Sequence, residues 1–265
     1  MSESKLQTTL AHSFEPLDSG VAARLRNLTP ARVGLRQTGS SIATPELLNF
    51  QLAHARARDA VHGPFDPASL AEEIEGAGFQ AFTVSSAAAN RHEYLRRPDL
   101  GRRLDDCSRQ AMKKLCGPYD VVFIFADGLS PVAVQTQAAA LLRLIAAPLD
   151  PAEWRIAPVV IATQARVALS DEIGSIAQAA LAVMLIGERP GLSSFDSMGV
   201  YLTWSPQPSR TDADRNCISN IRPEGLPLGA ASELLLHLMR EARAKRLSGV
   251  ALKPATVGRI GTGIG

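Results

Sequence analysis

Polar residues that could hold a ligand stand directly after three apolar runs of the chain. Asp127-Gly128-Leu129-Ser130 follows Val121–Ala126, Gln164-Ala165-Arg166-Val167 follows 158–163, and Gly187-Glu188-Arg189-Pro190-Gly191-Leu192 follows 181–186. The third loop sets an acid and a base among two glycines and a proline. Gly187 would let the backbone approach a ligand, and Glu188 would accept hydrogen bonds from it. A tight turn carrying a surface ion pair is the plainer account of the same residues. A fourth polar stretch, 212–225, reads D-A-D-R-N-C-I-S-N-I-R-P-E-G and contains Cys217. A cysteine in such a loop is more often a small packed residue than a reactive one.

Several common chemistries lack their residues. There is no G-x-x-x-x-G-K-[ST] phosphate loop, and no G-x-G-x-x-G follows a strand. The Gly-rich tail 258–265 precedes no helix, so it offers no helix N-terminus to a pyrophosphate. G-x-S-x-G and H-E-x-x-H are both absent, which removes the usual starting points for a hydrolase or a zinc peptidase. His12, His54, His62, His92 and His237 lie singly, so no structural zinc set is expected. The reading is therefore of no catalytic residue and no metal ligand in this chain.

The elements that would position those loops can be read from spacing. Residues 1–19 read as a polar lead-in. The basic stretch 24–36 contains Pro30 and Gly34 and is expected to be extended. Thr44 and Pro45 start a helix to about residue 61, and Asp66 with Pro67 starts another that stops at Gly76 or Gly78. Residues 79–85 alternate like a strand. Asp99 opens a helix with Leu100, Leu104, Cys107, Ala111 and Leu115 on one face, which makes Cys107 a core residue. From residue 117 the chain alternates: buried strand, helix (131–147), buried strand, helix (171–180), buried strand. A fourth strand (200–204) and a closing helix (230–247) follow. This order implies an α/β fold, a Rossmann-like parallel sheet with helices on both faces, preceded by a mostly helical N-terminal region. The expected boundaries are a lead-in at 1–19, the helical region at 20–116, the sheet domain at 117–250 and a tail at 251–265. Ligands of such sheets sit beyond the carboxyl ends of the strands, where the polar loops fall.

Composition narrows the partners. The 265 residues are 46% hydrophobic and 20% charged, with 28 basic against 26 acidic side chains and a net charge of +2. That balance, with 5% aromatic residues, argues against a nucleic-acid binder despite the arginines at 24–36 and 96–103. No run approaches the roughly 20 apolar residues of a membrane span. The N-terminus lacks a secretory pattern, and three cysteines without a C-x-x-C pair fit a reducing cytoplasm.

Seven blocks together carry a resemblance. They are T-P-A-R-V-G at 29–34, L-x-F-Q-x-x-H-A-x-A-R-D-A-V at 48–61, Y-L-R-R-P-D-L-G-R-R-L at 94–104, D-G-L-S at 127–130, R-V-A-L-S-D-E-I-G at 166–174, I-G-E-R-P-G-L at 186–192 and R-N-C-I-S-N-I-R-P-E-G-L at 215–226. In this order the chain resembles the small (light) subunit family of ethanolamine ammonia-lyase from about residue 20 to residue 252. The resemblance implies a hetero-oligomer with a large barrel subunit and adenosylcobalamin between the two. It also implies an adenosyl radical, from homolysis of the cobalt–carbon bond, that abstracts hydrogen from ethanolamine to give acetaldehyde and ammonia. Cobalamin-binding positions of the family carry over to Val167, Glu188 and Cys217. Glu188 would accept from corrin amide groups, the Val167 backbone would pair with others, and the Cys217 sulfur would pack on the ring edge without ligating cobalt.

Two departures stand beside this. The lead-in is short, which leaves microcompartment targeting open. D-x-H-x-x-G is absent, which implies that the cofactor keeps its own benzimidazole ligand. The alternative is a stand-alone Rossmann-like cofactor-binding module with no lyase role.

Overall fold

The computed structural model describes residues 19–29 and 31–252. The expected lead-in and tail lie outside them, apart from their inner ends at Ser19 and at 251–252. The chain divides into two compact units, residues 1–55 and 56–265.

In the first unit, helix α1 (Ser19–Leu28) occupies part of the stretch expected to be extended. Ala22, Ala23, Leu25 and the arginines are strong helix formers, and Gly34 comes only after the helix has ended. Gly34 has φ +58, and a Cβ there would lie 2.8 Å from the Ala22 Cβ, so the returning chain comes close to α1. Arg26 fixes this return by donating from Nε to the Val33 carbonyl (3.0 Å) and from Nη2 to that of Gly34. The short antiparallel strands β1 (Gln37–Thr38) and β2 (Ser41–Ile42) follow. Helix α2 (Thr44–His62) then begins where the Thr-Pro pair predicts.

The second unit opens with α3 (Pro67–Gly76), capped as expected by Asp66, whose carboxylate accepts from the Ala68 and Ser69 amides at 3.1 Å. There follow β3 (Ala81–Ser85), α4 (Arg91–Arg96), α5 (Asp106–Met112), β4 (Val121–Ala126), α6 (Pro131–Ala146), β5 (Val159–Thr163), α7 (Leu169–Ala177), β6 (Leu181–Gly187), β7 (Met198–Trp204), β8 (Arg215–Ile221) and α8 (Leu228–Lys245). One six-stranded sheet runs in the order β3-β5-β4-β6-β7-β8. Its first four strands are parallel, and β7 and β8 are antiparallel.

The apolar runs of β4, β5 and β6 need cover on both faces, and the pleat divides their side chains between two layers. Val121, Phe123 and Phe125 pack with α3, α6 and α8. Val122, Ile124 and Ala126 pack with α5 and α7. The expected α/β architecture is thus present, and four of its features need correction.

The sheet begins at β3, inside the region expected to be mostly helical and before residue 117. Only ten residues, 188–197, join β6 to β7. That is too short for a helical crossover, so β7 turns back antiparallel. The stretch 212–225, read as a loop, contains β8. Finally, the helix expected from Asp99 is broken. Arg103 is extended at φ −132, ψ 143, and Asp105 caps a new helix by accepting from the Ser108 amide at 2.6 Å. The break shifts the buried face, so Met112 is buried and Cys107 is exposed.

Candidate functional site

Asp127, the first residue after β4, is 1% exposed. Its Oδ1 accepts from the amides of Gly128 (2.9 Å) and Ala165 (3.0 Å), and its Oδ2 from the amide of Gln164 (3.0 Å) and from Arg91 Nη1 (3.2 Å). Burial pushes this carboxyl up to about 6, against the opposing pull of the amides and Arg91. Arg91 Nη1 also donates to the Gly128 carbonyl at 2.7 Å. Gly128 has φ +56, and a Cβ there would meet the Gly187 carbonyl at 2.2 Å. A Cβ on Gly187 would meet that of Ser130 at 2.0 Å. The first polar loop is therefore a strut joining the ends of β4, β5 and β6. Gly187 is required for the approach of two protein backbones.

The antiparallel edge differs. On one face Met198, Val200, Leu202, Ile218 and Ile221 join the core beneath α8. On the other face Tyr201 stands between Met184 on β6 and Cys217 on β8 in the strand register. Helices α5 and α7 of that layer pack on β3, β4 and β6, and Cys217 is exposed. Tyr201 is partly buried against that layer, and the sheet beyond it opens at the exposed Cys217.

Glu188 reaches the same face from the end of β6. It forms no ion pair with Arg189. Its Oε2 accepts from the Ser197 hydroxyl (2.5 Å) and the Asn220 amide (3.2 Å), which ties the loop to β8. Its Oε1 borders a notch at Gly199, where a Cβ would lie 2.9 Å from Oε1 and 3.3 Å from Tyr201 Cε2. Partial burial and the Glu188 charge raise the Cys217 thiol above its ordinary value, with the Tyr201 hydroxyl opposing. The thiol is thus a neutral, soft surface rather than a thiolate. Burial likewise pushes the Tyr201 phenol up, so it stays a neutral donor.

Val167 lies at the start of α7. Its carbonyl accepts from the Ser170 amide (3.1 Å) and hydroxyl (2.8 Å). Its N–H donates to no described residue. The residue lines a cleft of about 810 Å³ together with Tyr201, Arg166, Arg210 and Arg215. Tyr201 is thus shared: Val167 borders the cleft on one side of it, and Glu188 and Cys217 stand on the open face at the other. The sequence nominates these three residues but misses Tyr201, because a tyrosine in a strand carries no mark of which face it occupies.

A second omission is the buried pair Arg215–Asp171, 2.6 Å apart and 2% and 1% exposed, which anchors β8 to α7. Both residues lie in the matched blocks 166–174 and 215–226, and that shared membership was the available signal. Among the described residues no group of three or more His, Cys, Asp or Glu could hold a metal ion.

A covered parallel sheet with an antiparallel edge defines an α/β protein. The family model for the ethanolamine ammonia-lyase light chain (EutC) matches residues 20–253, and the chain belongs to that family. Among similar proteins is the ethanolamine ammonia-lyase small subunit of Pseudomonas aeruginosa, 51% identical over 86% of this chain and 85% of its own length. That of Rhodopseudomonas palustris is 52% identical over 86% of this chain and 88% of its own. That of Pseudomonas fluorescens is 51% identical over 86% and 84%. The relatives are by name subunits of an ammonia-lyase, an enzyme that breaks a carbon–nitrogen bond.

Proposed function

We propose that this chain is the small subunit of an adenosylcobalamin-dependent ethanolamine ammonia-lyase and that its open sheet face forms one wall of the cofactor site. The carrying observation is the arrangement of Val167, Glu188 and Cys217 around the partly buried Tyr201, where the sheet opens at the exposed Cys217. The residues fit a corrinoid. The ring is edged with amides, which both donate and accept. Glu188 Oε1 is a free acceptor, the Val167 N–H is a free donor, and the Gly199 notch lets a bulky edge come close to the sheet. Tyr201 and Cys217 supply a flat, neutral surface.

When bound, the cofactor supplies radical chemistry that removes hydrogen from ethanolamine and leads to acetaldehyde and ammonia. The residues of this chain bind and orient it and exclude water from its edge. No acid–base pair or nucleophile is assigned to this chain. The large barrel subunit is the partner that holds substrate and faces this wall. In the N-terminal unit Leu25, Leu28, Leu48, Phe50 and Leu52 are exposed apolar residues that an assembling partner would cover. The complex is read as cytoplasmic, and no helix among the described residues is long and apolar enough to cross a membrane.

The test is acetaldehyde release from ethanolamine with added adenosylcobalamin, using this chain alone and co-expressed with a large subunit. Activity is expected only from the complex. Activity from this chain alone, or a complex that forms and stays inactive, would contradict the proposal. A chain that binds corrinoid but never associates with the large subunit would instead be the stand-alone binding module.

A further inference from the structure

In the turn 164–167, every backbone N–H and carbonyl except the Val167 N–H has a partner. The Gln164 and Ala165 amides donate to the Asp127 carboxylate at 3.0 Å each. The Gln164 carbonyl accepts from the Ser86 hydroxyl at 2.7 Å, and that of Ala165 from the Tyr94 hydroxyl at 3.0 Å. The Arg166 amide donates to the Gly101 carbonyl at 2.8 Å, and the Arg166 and Val167 carbonyls accept from the Leu169 and Ser170 amides. Gln164 is held at φ +54, a conformation that a residue with a side chain keeps when its surroundings impose it. Its own side chain does not supply the restraint, because Gln164 Oε1 is buried without a partner. A turn tied at every other backbone group presents its one open N–H in a fixed direction.

Asp127 is the centre of this restraint. Four donors converge on its two oxygens, the amides of Gly128, Gln164 and Ala165 and Arg91 Nη1. An amide side chain in its place would offer one oxygen and turn an NH2 group toward N–H donors, so the position calls for a carboxylate. Arg91 is fixed in turn by its Nε, which donates to the Val61 carbonyl at 2.8 Å, and by the Tyr94 ring 4.8 Å away. We propose that Asp127 is a positioning residue for the cofactor wall: by holding the turn 164–167 it aims the Val167 N–H at the corrinoid. The proposal rests on the cofactor reading given above. Asp127 is buried and acts through the turn.

Ionisation gives this role a signature. Burial of the charge is costly to the fold as a whole and raises the Asp127 carboxyl to about 6. Once protonated, one of its oxygens carries a hydrogen among N–H donors. The turn then loosens, and affinity falls as pH drops through about 6. Arg91 and Tyr94 of α4 and Arg166 of the turn are the other ionisable groups of the cluster. The arginines stay charged and burial raises the Tyr94 phenol, so none of the three titrates between about pH 5 and about pH 7.5.

The test is cyanocobalamin binding by the assembled complex, titrated by absorbance from about pH 5 to about pH 7.5 beside a thermal melt. The wild-type dissociation constant should rise about tenfold as pH falls across this range. Asp127→Asn should already bind about tenfold more weakly at the upper end and show a flat profile. Tyr94→Phe removes only the hydroxyl on the Ala165 carbonyl. It should weaken binding several-fold and keep the wild-type pH dependence. A flat wild-type profile would overturn the positioning role and leave the cofactor reading intact. So would Asp127→Asn binding as tightly as wild type, or a parallel decline in that variant, which would assign the titration to another carboxylate such as Glu188. If Asp127→Asn does not assemble, the wild-type profile and Tyr94→Phe decide, and unchanged affinity in Tyr94→Phe overturns the proposal. A wild-type complex that binds no cyanocobalamin at any pH overturns the cofactor reading, and this role with it.

Discussion

The two sides of the central sheet solve different problems. Strands β3 to β6 are parallel and packed under helices, and at the junction of β4, β5 and β6 the polar and glycine residues are spent on one another. Asp127 holds three amides and Arg91, and Gly128 and Gly187 press backbone on backbone. Strands β7 and β8 have one face under α8; on the other, Arg215 is buried against Asp171 of α7 while Cys217 is exposed, and the loops that border this open end keep unspent polar capacity. Glu188 has a free oxygen and Val167 a free amide. Polar residues at strand ends are therefore poor predictors of a ligand site until their hydrogen bonds have been counted.

The joint between these regions is the place to break the comparison hardest. Asp171→Ala would remove the buried carboxylate from Arg215 and leave it only the exposed Asp212 at 3.5 Å, at a cost of about 3–5 kcal/mol. Chemical denaturation should show that loss. Asp171→Leu combined with Arg215→Met should recover much of it, and a double variant no more stable than the single one would show that the pair is not the anchor.

A smaller loss is expected within the clad region. Gly187→Ala would drive a methyl against the Ser130 carbonyl and should cost about 3 kcal/mol. A melting temperature within a degree or two of wild type would refute this close packing of backbones.

The third prediction concerns pH. The folded-state pKa of Asp127 is raised from 3.8 to about 6. Between about pH 4 and about pH 6 the native state keeps a proton that the unfolded chain has lost. The contribution of Asp127 to stability is therefore full below about pH 4 and falls as pH rises through about 6, by at most about 3 kcal/mol. Urea unfolding across that range should show this decline in wild type and its absence in Asp127→Asn. Parallel pH profiles would contradict it.

The smallest effect on folding belongs to the open edge. Glu188→Gln retains an acceptor for Ser197 and Asn220, so stability should change by less than about 1 kcal/mol. Cyanocobalamin affinity in the assembled complex should still fall by about tenfold. A lower melting point with unchanged affinity would make Glu188 purely structural.

Much of the fold was legible because β4, β5 and β6 are unbroken apolar runs and because Asp66-Pro67 and Thr44-Pro45 mark helix starts. What escaped depended on long-range pairing. The β8 segment alternates polar and apolar residues as a half-exposed edge strand does, and polar residues in such a strand resemble a loop. From Asp99 the spacing predicts one helix, because Leu100 and Leu104 keep helical period across the break that Asp105 imposes. Periodicity alone fixes no register, so it placed Cys107 inside. As cofactor contacts, Val167, Glu188 and Cys217 follow from the resemblance alone. Their arrangement around Tyr201 rests on strand register, which no local pattern encodes.

The central claim is that the open face, and not the clad sheet, receives the cofactor. Cys217→Trp places a bulky ring on that face at an exposed position. The decisive measurement is cyanocobalamin binding by the complex of this variant with the large subunit, beside its melting temperature and subunit association. The account predicts an unchanged melt, intact association and affinity weakened by at least about a hundredfold. Wild-type affinity in that intact complex would contradict it.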